Sequence, residues 1–152
     1  MIRLATIADA AEIARIVNAA FVVEQEFRPG DRTNAAEIAG LIARDAFLLA
    51  EDEGQIIGAV HVRASSAKGY FGMLAVAPAG QRKGLGGALT AAAEDYCRAR
   101  GGTVMTMSTG EERRELVAWY ERRGYRVTSV EVSNNPAFNR PLRIVQMEKP
   151  LT

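Results

Sequence analysis

The feature that most constrains the fold is a predicted strand that runs into a glycine-rich turn and then into a long helix. It spans residues 73–87, MLAVAPAGQRKGLGG. Free amides at a helix start, together with the axial dipole, bind anions, and glycines let the backbone approach a bound anion closely. Arg82 and Lys83 add positive charge at the same place. The segment therefore predicts a pyrophosphate site.

Two other phosphate-binding motifs are excluded by the residues themselves. A P-loop requires Gly-Lys-Ser/Thr, which occurs nowhere in the chain. A dinucleotide fingerprint counted from Gly84 requires glycine or alanine at position 89, which is leucine. Because the glycines alone are also compatible with a flexible loop, the assignment depends on the rest of the chain.

The remaining sequence predicts alternating strands and helices. Short apolar or alternating runs predict seven strands, at 2–5, 47–50, 56–64, 70–77, 103–108, 125–132 and 143–149. Helical spacing predicts four helices, which begin near Thr6, near Asn34, after Gly84 and near Glu112. The third helix is predicted to bury Leu85, Ala88, Leu89, Ala92 and Tyr96. This order favours an α/β (α+β) sheet with helices on its faces, in a single domain over residues 1–152.

Composition excludes several classes of protein. The chain has 152 residues, with 19 Lys plus Arg and 18 Asp plus Glu, so it lacks the basic excess of nucleic-acid binders. Cys97 is the one cysteine and is predicted to be a buried structural thiol, and the lone His61 cannot build a histidine-rich metal site. We therefore expect no metal. No leader-like or membrane-length apolar run is present, so we expect a cytoplasmic protein without a membrane partner.

Two motifs resemble those of the GNAT superfamily of N-acetyltransferases. Residues 81–86 (QRKGLG) fill the pattern Gln/Arg-x-x-Gly-x-Gly/Ala, and residues 119–125 (WYERRGY) fill the pattern aromatic-Tyr-x-x-x-Gly-Phe/Tyr. Residues 2–6 and Asp9 also resemble the family's first strand and helix, so the resemblance spans nearly the whole chain. It implies a mixed, mostly antiparallel central sheet in which two parallel strands, here 70–77 and 103–108, splay apart between helices on both faces.

The resemblance also implies an activity. It is acetyl transfer from acetyl-CoA to a primary amine of a small or amino-acid-like acceptor, by direct attack in a ternary complex. A protein amino terminus or lysine is an alternative acceptor, and a coenzyme-binding sensor without turnover is a second alternative. The resemblance is compatible with a homodimer, but the sequence offers no test of the oligomeric state.

The same resemblance assigns residues to the coenzyme and to the chemistry. Tyr120 corresponds to the general acid that protonates the departing thiolate; without the resemblance, a packed aromatic at a helix end would be the favoured interpretation. The backbone amide of Leu74 would stabilise the oxyanion. Residues expected to contact the coenzyme are Leu74, Ala75, Val76, Gln81, Arg82, Lys83, Gly84, Leu85, Gly86 and Gly87. Arg113 occupies the region where many members carry an asparagine that contacts the pantetheine arm.

The acceptor site is predicted in the two least patterned loops, residues 22–33 and 133–142. Glu24, Glu26 and Phe138 are candidate acceptor contacts, and Glu24 is also a candidate base. His61 has the most suitable intrinsic pKa for a base, and a chain of waters could serve instead. The mixed charges of these loops favour a zwitterionic acceptor; the residues concerned are Glu24, Glu26, Arg28, Arg32, Phe138 and Arg140.

Overall fold

The computed structural model describes residues 1–81 and 83–152. Within them, one sheet contains the strands β1 (Ile2–Leu4), β2 (Ala46–Asp52), β3 (Gln55–Ser65), β4 (Lys68–Val76), β5 (Val104–Gly110), β6 (Arg126–Ser133) and β7 (Leu142–Pro150). The helices are α1 (Ala10–Ala20), α2 (Ala35–Arg44), α3 (Leu85–Arg98) and α4 (Arg114–Glu121). The predicted order of elements is confirmed. In this part of the chain, no helix combines the length and apolar character needed to cross a membrane.

The sheet is mixed and mostly antiparallel. Its strand order is β1-β2-β3-β4-β5-β7-β6, and β4–β5 is the one parallel pair among the described strands. That pair is short: it runs from Lys68↔Val104 to Tyr70↔Thr106, although both strands continue for several residues beyond. The strands therefore part along most of their length, which confirms the expected splay.

A β-bulge in β4 lies beside this gap. Gly72 pairs with His61 and Ala75 with Ala59, so that Met73 and Leu74 together oppose a single residue of β3. Met73 has φ of 50°, a left-handed conformation that is uncommon for a residue with a side chain. Because the bulge shifts the alternation of side chains by one, Met73 packs with the α1 side of the sheet and Leu74 with the α3 side.

The core consists of one apolar cluster on each face of the sheet. α1 and α2 cover one face, where Ile13, Val17 and Ile38 are fully buried. α3 and α4 cover the other, where Leu89, Ala93, Phe71 and Met147 meet. Helices on both faces were expected, and this layering leaves the gap between β4 and β5 open to both sides.

The buried face predicted for α3 is confirmed at Leu89 and, half-buried against the core, at Leu85, Ala92 and Tyr96, but it is wrong at Ala88. Ala88 is exposed, and the buried stripe runs through Leu89, Ala93 and Cys97. Glu94 is also buried on this face, where the Tyr125 hydroxyl (2.8 Å) and the Lys149 ammonium (3.0 Å) donate to its carboxylate. Pairing of this kind offsets the cost of taking a charge out of water. Cys97 is buried as predicted, and burial raises the pKa of its thiol.

Candidate active site

A cavity of about 320 Å³ occupies the gap between β4 and β5. Its walls come from both faces of the sheet: Phe21 and the loop 22–33 that follows α1 (the first loop) on one side, and α4 on the other. The edges of β4 and β5 form its middle, and Phe138 closes one end. Because β4 and β5 no longer pair here, their facing backbone groups are available to an extended ligand.

Tyr120 of α4 lies against this cavity. The residue is 5% exposed, and its ring packs at 4.9 Å from Trp119 and at 5.8 Å from both Phe71 and Tyr125, measured between ring centroids. Among the described residues, the Tyr120 hydroxyl has no hydrogen-bond partner. No side-chain N or O atom in this part of the chain is both fully buried and without a partner, so the hydroxyl must be accessible, and it opens on the cavity. Burial raises the pKa of Tyr120 to about 12, which keeps the phenol protonated at neutral pH.

The bulge of β4 brings backbone to the cavity wall. Leu74 and Met73 both line the cavity, at the point where β4 has lost β5 as a partner. Ala75 is buried beneath α1, and Val76 continues along the same edge towards the glycine turn. A bulge redirects backbone groups out of the regular ladder, and the cavity beside Leu74 can therefore receive an oxygen that accepts from an amide.

The glycine-rich turn lies next to this wall. Gly84 is the N-cap of α3 with φ of 71°, a left-handed conformation that glycine adopts without steric cost. A Cβ on Gly86 would approach the Trp119 ring to 3.3 Å, so α3 begins in contact with a residue that also lines the cavity. The Arg123 guanidinium lies over the same ring, 3.4 Å from its centroid. A pyrophosphate fits this place, because the first amides of α3 are free, Gly84 and Gly86 carry no side chains, and the Arg123 guanidinium supplies positive charge.

The other predicted residues of the turn are at its surface. Gln81 and Lys83 are exposed, and the Lys83 ammonium lies 3.5 Å from Asp52. Leu85 and Gly87 are half-buried in the first turn of α3. Arg82 lies outside the described residues.

Comparison with known proteins identifies the family to which this fold belongs. A family model described as an acetyltransferase (GNAT) domain matches residues 18–151. This chain belongs to the GNAT acetyltransferase family. It is 33% identical over 135 residues to the uncharacterized N-acetyltransferase YhfO of Bacillus subtilis, which covers 82% of this chain and 88% of that protein. It is 35% identical over 101 residues to the mycothiol acetyltransferase of Cellulomonas flavigena, covering 59% of this chain but only 29% of that one.

Solved structures support the same assignment. The putative acetyltransferase yncA of Salmonella typhimurium, determined with its cofactor acetyl-CoA, superposes with a TM-score of 0.79 at 25% identity, covering 100% of this chain and 94% of that one. The ribosomal-protein-alanine N-acetyltransferase of Brucella melitensis has a TM-score of 0.80 at 21% identity, covering 99% of both, and shares the fold. This acetyltransferase is therefore an acyltransferase that uses acetyl-CoA as its cosubstrate.

The first-loop side of the cavity contains an ion pair that the sequence did not predict. Glu24 Oε2 accepts from Arg113 Nη1 at 2.7 Å, and both residues line the cavity. The pair ties the first loop to the start of α4 across 89 positions of sequence. Arg113 had been placed where relatives carry a pantetheine-contacting asparagine, and this departure from the motif was the one signal that marked it.

Of the remaining candidates for the acceptor site, one lines the cavity and two do not. Phe138 lines the cavity, with its ring centroid 6.2 Å from that of Phe27. Glu26 is exposed and outside the cavity lining. His61 of β3 has a buried side chain, whose Nε2 lies 2.9 Å from an Asp45 carboxylate oxygen, and it does not line the cavity. Burial lowers the pKa of His61 more than Asp45 raises it.

Proposed function

We propose that this acetyltransferase acetylates the primary amine of a small, amino-acid-like acceptor by direct attack in a ternary complex. The observation that carries the proposal is the central cavity, which joins the two faces of the sheet through the gap between β4 and β5. One ligand can approach from the glycine turn and the other from the first loop, so that their reacting ends meet in the gap. Holding two reactants in this way removes much of the entropic barrier to transfer. We also infer that residues 1–152 form one domain, since one sheet extends from Ile2 to Pro150.

Acetyl-CoA supplies an activated acyl thioester, and the chain's backbone would bind it. We assign the pyrophosphate to the first amides of α3 and to the turn before it, where nothing lies within 4 Å of the Cβ position of Gly84. Residues 74–76 lie along the open edge of β4, where an extended pantetheine arm would pair as a neighbouring strand does. The Leu74 amide beside the bulge is the assigned donor to the thioester oxygen. A preorganised donor of this kind contributes about 3 kcal/mol to the barrier.

Tyr120 is the assigned acid. Its hydroxyl opens on the cavity, and three surrounding aromatic rings fix its position. The pKa of about 12 means that the proton is present throughout the working range. In apolar surroundings an unshared donor is strongly drawn to developing negative charge, so the hydroxyl would stabilise the departing sulfur and then give up its proton.

Glu24 is the assigned contact for the acceptor's amine. Its hydrogen bond to Arg113 uses Oε2, so Oε1 is the oxygen that an ammonium would meet. Phe138 and Phe27 form an apolar wall at the same end of the cavity. This combination suits a small acceptor with one cationic and one apolar part.

The test is free-thiol release from acetyl-CoA across a panel of amino acids, simple amines and short peptides. Release that depends on a small amine, and acetylated product in equal amount, are the expected results. If peptides were acetylated and free amino acids were not, the acceptor would be a protein amino terminus or lysine. If coenzyme bound to the protein and no amine released thiol, the proposed amine transfer would be refuted and the sensor alternative favoured.

A further inference from the structure

The first-loop side of the cavity carries uncompensated positive charge. Arg28, Arg32 and Arg113 line the cavity, whereas Glu24 is its one acidic lining residue among those described. Arg113 is committed to Glu24 at 2.7 Å. Within the described residues, neither Arg28 nor Arg32 has a carboxylate oxygen within 4.0 Å. The cavity therefore contains two guanidinium groups whose charge no neighbouring acid neutralises by contact.

Aromatic rings position these guanidinium groups without using their hydrogen-bond donors. The Arg28 guanidinium carbon lies 5.7 Å from the Phe138 ring centroid, and that of Arg32 lies 5.7 Å from the Phe21 ring centroid. An aromatic face attracts a cation through its quadrupole and leaves the N–H groups free. Both arginines are therefore placed beside the cavity with donors to spare.

The nearby acids do not supply the missing partner. Asp31 is exposed, and Glu37 accepts from the Thr33 hydroxyl at 2.5 Å. Burial, and then the charge of Arg32, hold the pKa of Arg28 below its usual value, although the charges of Glu24 and Glu37 act to raise it. Because a guanidinium presents a planar fork of N–H donors, the ligand that best relieves this imbalance is a planar carboxylate.

We propose that the acceptor is a free α-amino acid with an apolar side chain, whose carboxylate is bound by Arg28 and Arg32. The inference rests on the proposed amine acetylation and adds the residues that select the acceptor. Glu24 then holds the ammonium, and the side chain packs on Phe27 and Phe138. A peptide amino terminus lacks a carboxylate next to its amine, so this arrangement discriminates free amino acids from proteins.

The experiment compares each amino acid with its own carboxamide. Thiol release from acetyl-CoA is measured with leucine, methionine and phenylalanine and with the three amides, which retain the amine and side chain. The acid should exceed the amide in kcat/KM by about tenfold to a hundredfold, as charge-assisted hydrogen bonds allow. In Arg28→Gln and Arg32→Gln this ratio should fall to a few-fold. Arg28→Lys, which keeps the charge and loses the planar fork, should give an intermediate ratio.

Arg140→Gln is the matched control. Its guanidinium lies over the Phe27 ring at 5.8 Å, but it is outside the cavity lining and already bonds both oxygens of Glu112, at 3.0 and 3.1 Å. It should therefore retain the native preference for the acid. Equal loss of preference in this variant would mean that general surface charge selects the acceptor, and the proposal would fail.

The outcomes also separate this inference from the proposed function. Equal use of acids and amides by the native chain would overturn the carboxylate site and leave amine acetylation intact. Absence of release with every amine would refute the proposed function itself. As a readout independent of turnover, N-acetyl-leucine and N-acetyl-leucinamide are titrated into the CoA-bound protein. Binding of the acid alone, lost in Arg28→Gln, supports the inference; equal binding of both, or of neither, overturns it.

Discussion

The sharpest test of the chemistry is Tyr120→Phe, because the structure separates its effect on catalysis from its effect on folding. The Tyr120 hydroxyl has no hydrogen-bond partner among the described residues, so removing it leaves no buried group unpaired. The ring, which packs on Phe71 and Trp119, is retained. We therefore expect the free energy of unfolding to change by less than about 1 kcal/mol.

The expected loss of rate follows from the pKa. General acids contribute roughly a hundredfold to ten-thousandfold, and they are most effective when their pKa lies near the working pH. At about 12, the pKa of Tyr120 lies well above that pH, so the lower end of the range applies. We expect kcat to fall by about a hundredfold, equivalent to roughly 2.7 kcal/mol of barrier, while the affinity for acetyl-CoA stays near native.

The assay is steady-state thiol release with the preferred amine, with coenzyme affinity measured by calorimetry. Tyr125→Phe is the control, since it makes the same chemical change in a ring 5.8 Å away. Its hydroxyl bonds the buried Glu94, so this variant should lose about 1–3 kcal/mol of stability and keep kcat within a few-fold. If Tyr120→Phe retained kcat within threefold of native, the phenol would not be the acid, and a water or the solvent would protonate the sulfur.

Two further predictions concern the glycine turn and the histidine. Gly86→Val should raise the Kd for coenzyme A at least tenfold by calorimetry, because its Cβ would lie 3.3 Å from Trp119 and its methyl groups closer still. The control is Gly40→Ala, whose Cβ meets only the flexible end of a side chain in α2 and which should leave that Kd within twofold. An unchanged Kd in Gly86→Val would contradict the assignment of the pyrophosphate to this turn. His61 is the chain's one histidine, so an NMR titration of the untagged protein should show a midpoint below 6.5, since burial lowers its pKa. Between the lowered pKa of His61 and about pH 6.5, the unfolded chain therefore binds more protons than the folded chain. The contribution of His61 to the free energy of unfolding should be fully present above about pH 6.5 and should be lost as the pH falls below it. A midpoint at or above 6.5 would refute this.

The elements of the fold were predictable because each depends on neighbours in sequence. Asn34 caps α2 by accepting from the Glu37 amide at 2.8 Å, and the glycine turn precedes α3 as its motif indicated. The buried face of α3 was not predictable in the same way. Glu94 can be buried only because Tyr125 and Lys149 reach it from 31 and 55 positions away. Apolar periodicity does not register such pairing, so Glu94 was absent from the predicted buried face.

The residues of the site also differ in whether neighbours in sequence or distant residues determine their position. Tyr120 belongs to a motif with a fixed spacing, Leu74 lies on the strand that precedes the glycine motif, and both line the cavity. His61 was considered as a base from its intrinsic pKa alone. The structure instead stacks it on Phe47, with ring centroids 5.3 Å apart, and bonds it to Asp45, because β2 and β3 bring these residues together. Intrinsic chemistry therefore identifies candidates, and tertiary pairing decides which of them reach the cavity.

The charge of the cavity shows why acceptor preference is the least predictable property of this chain. The sequence is nearly neutral, with a net charge of +1, and the first loop contains acids and bases in similar number. Folding separates them: Glu26 and Asp31 are exposed, one carboxylate oxygen of Glu24 accepts from Arg113, and Arg28 and Arg32 line the cavity. A local excess of cations thus arises from a globally balanced sequence. Under the proposed function, turning a second acid of the first loop towards the cavity is therefore expected to change the preferred acceptor while leaving the sheet unaltered.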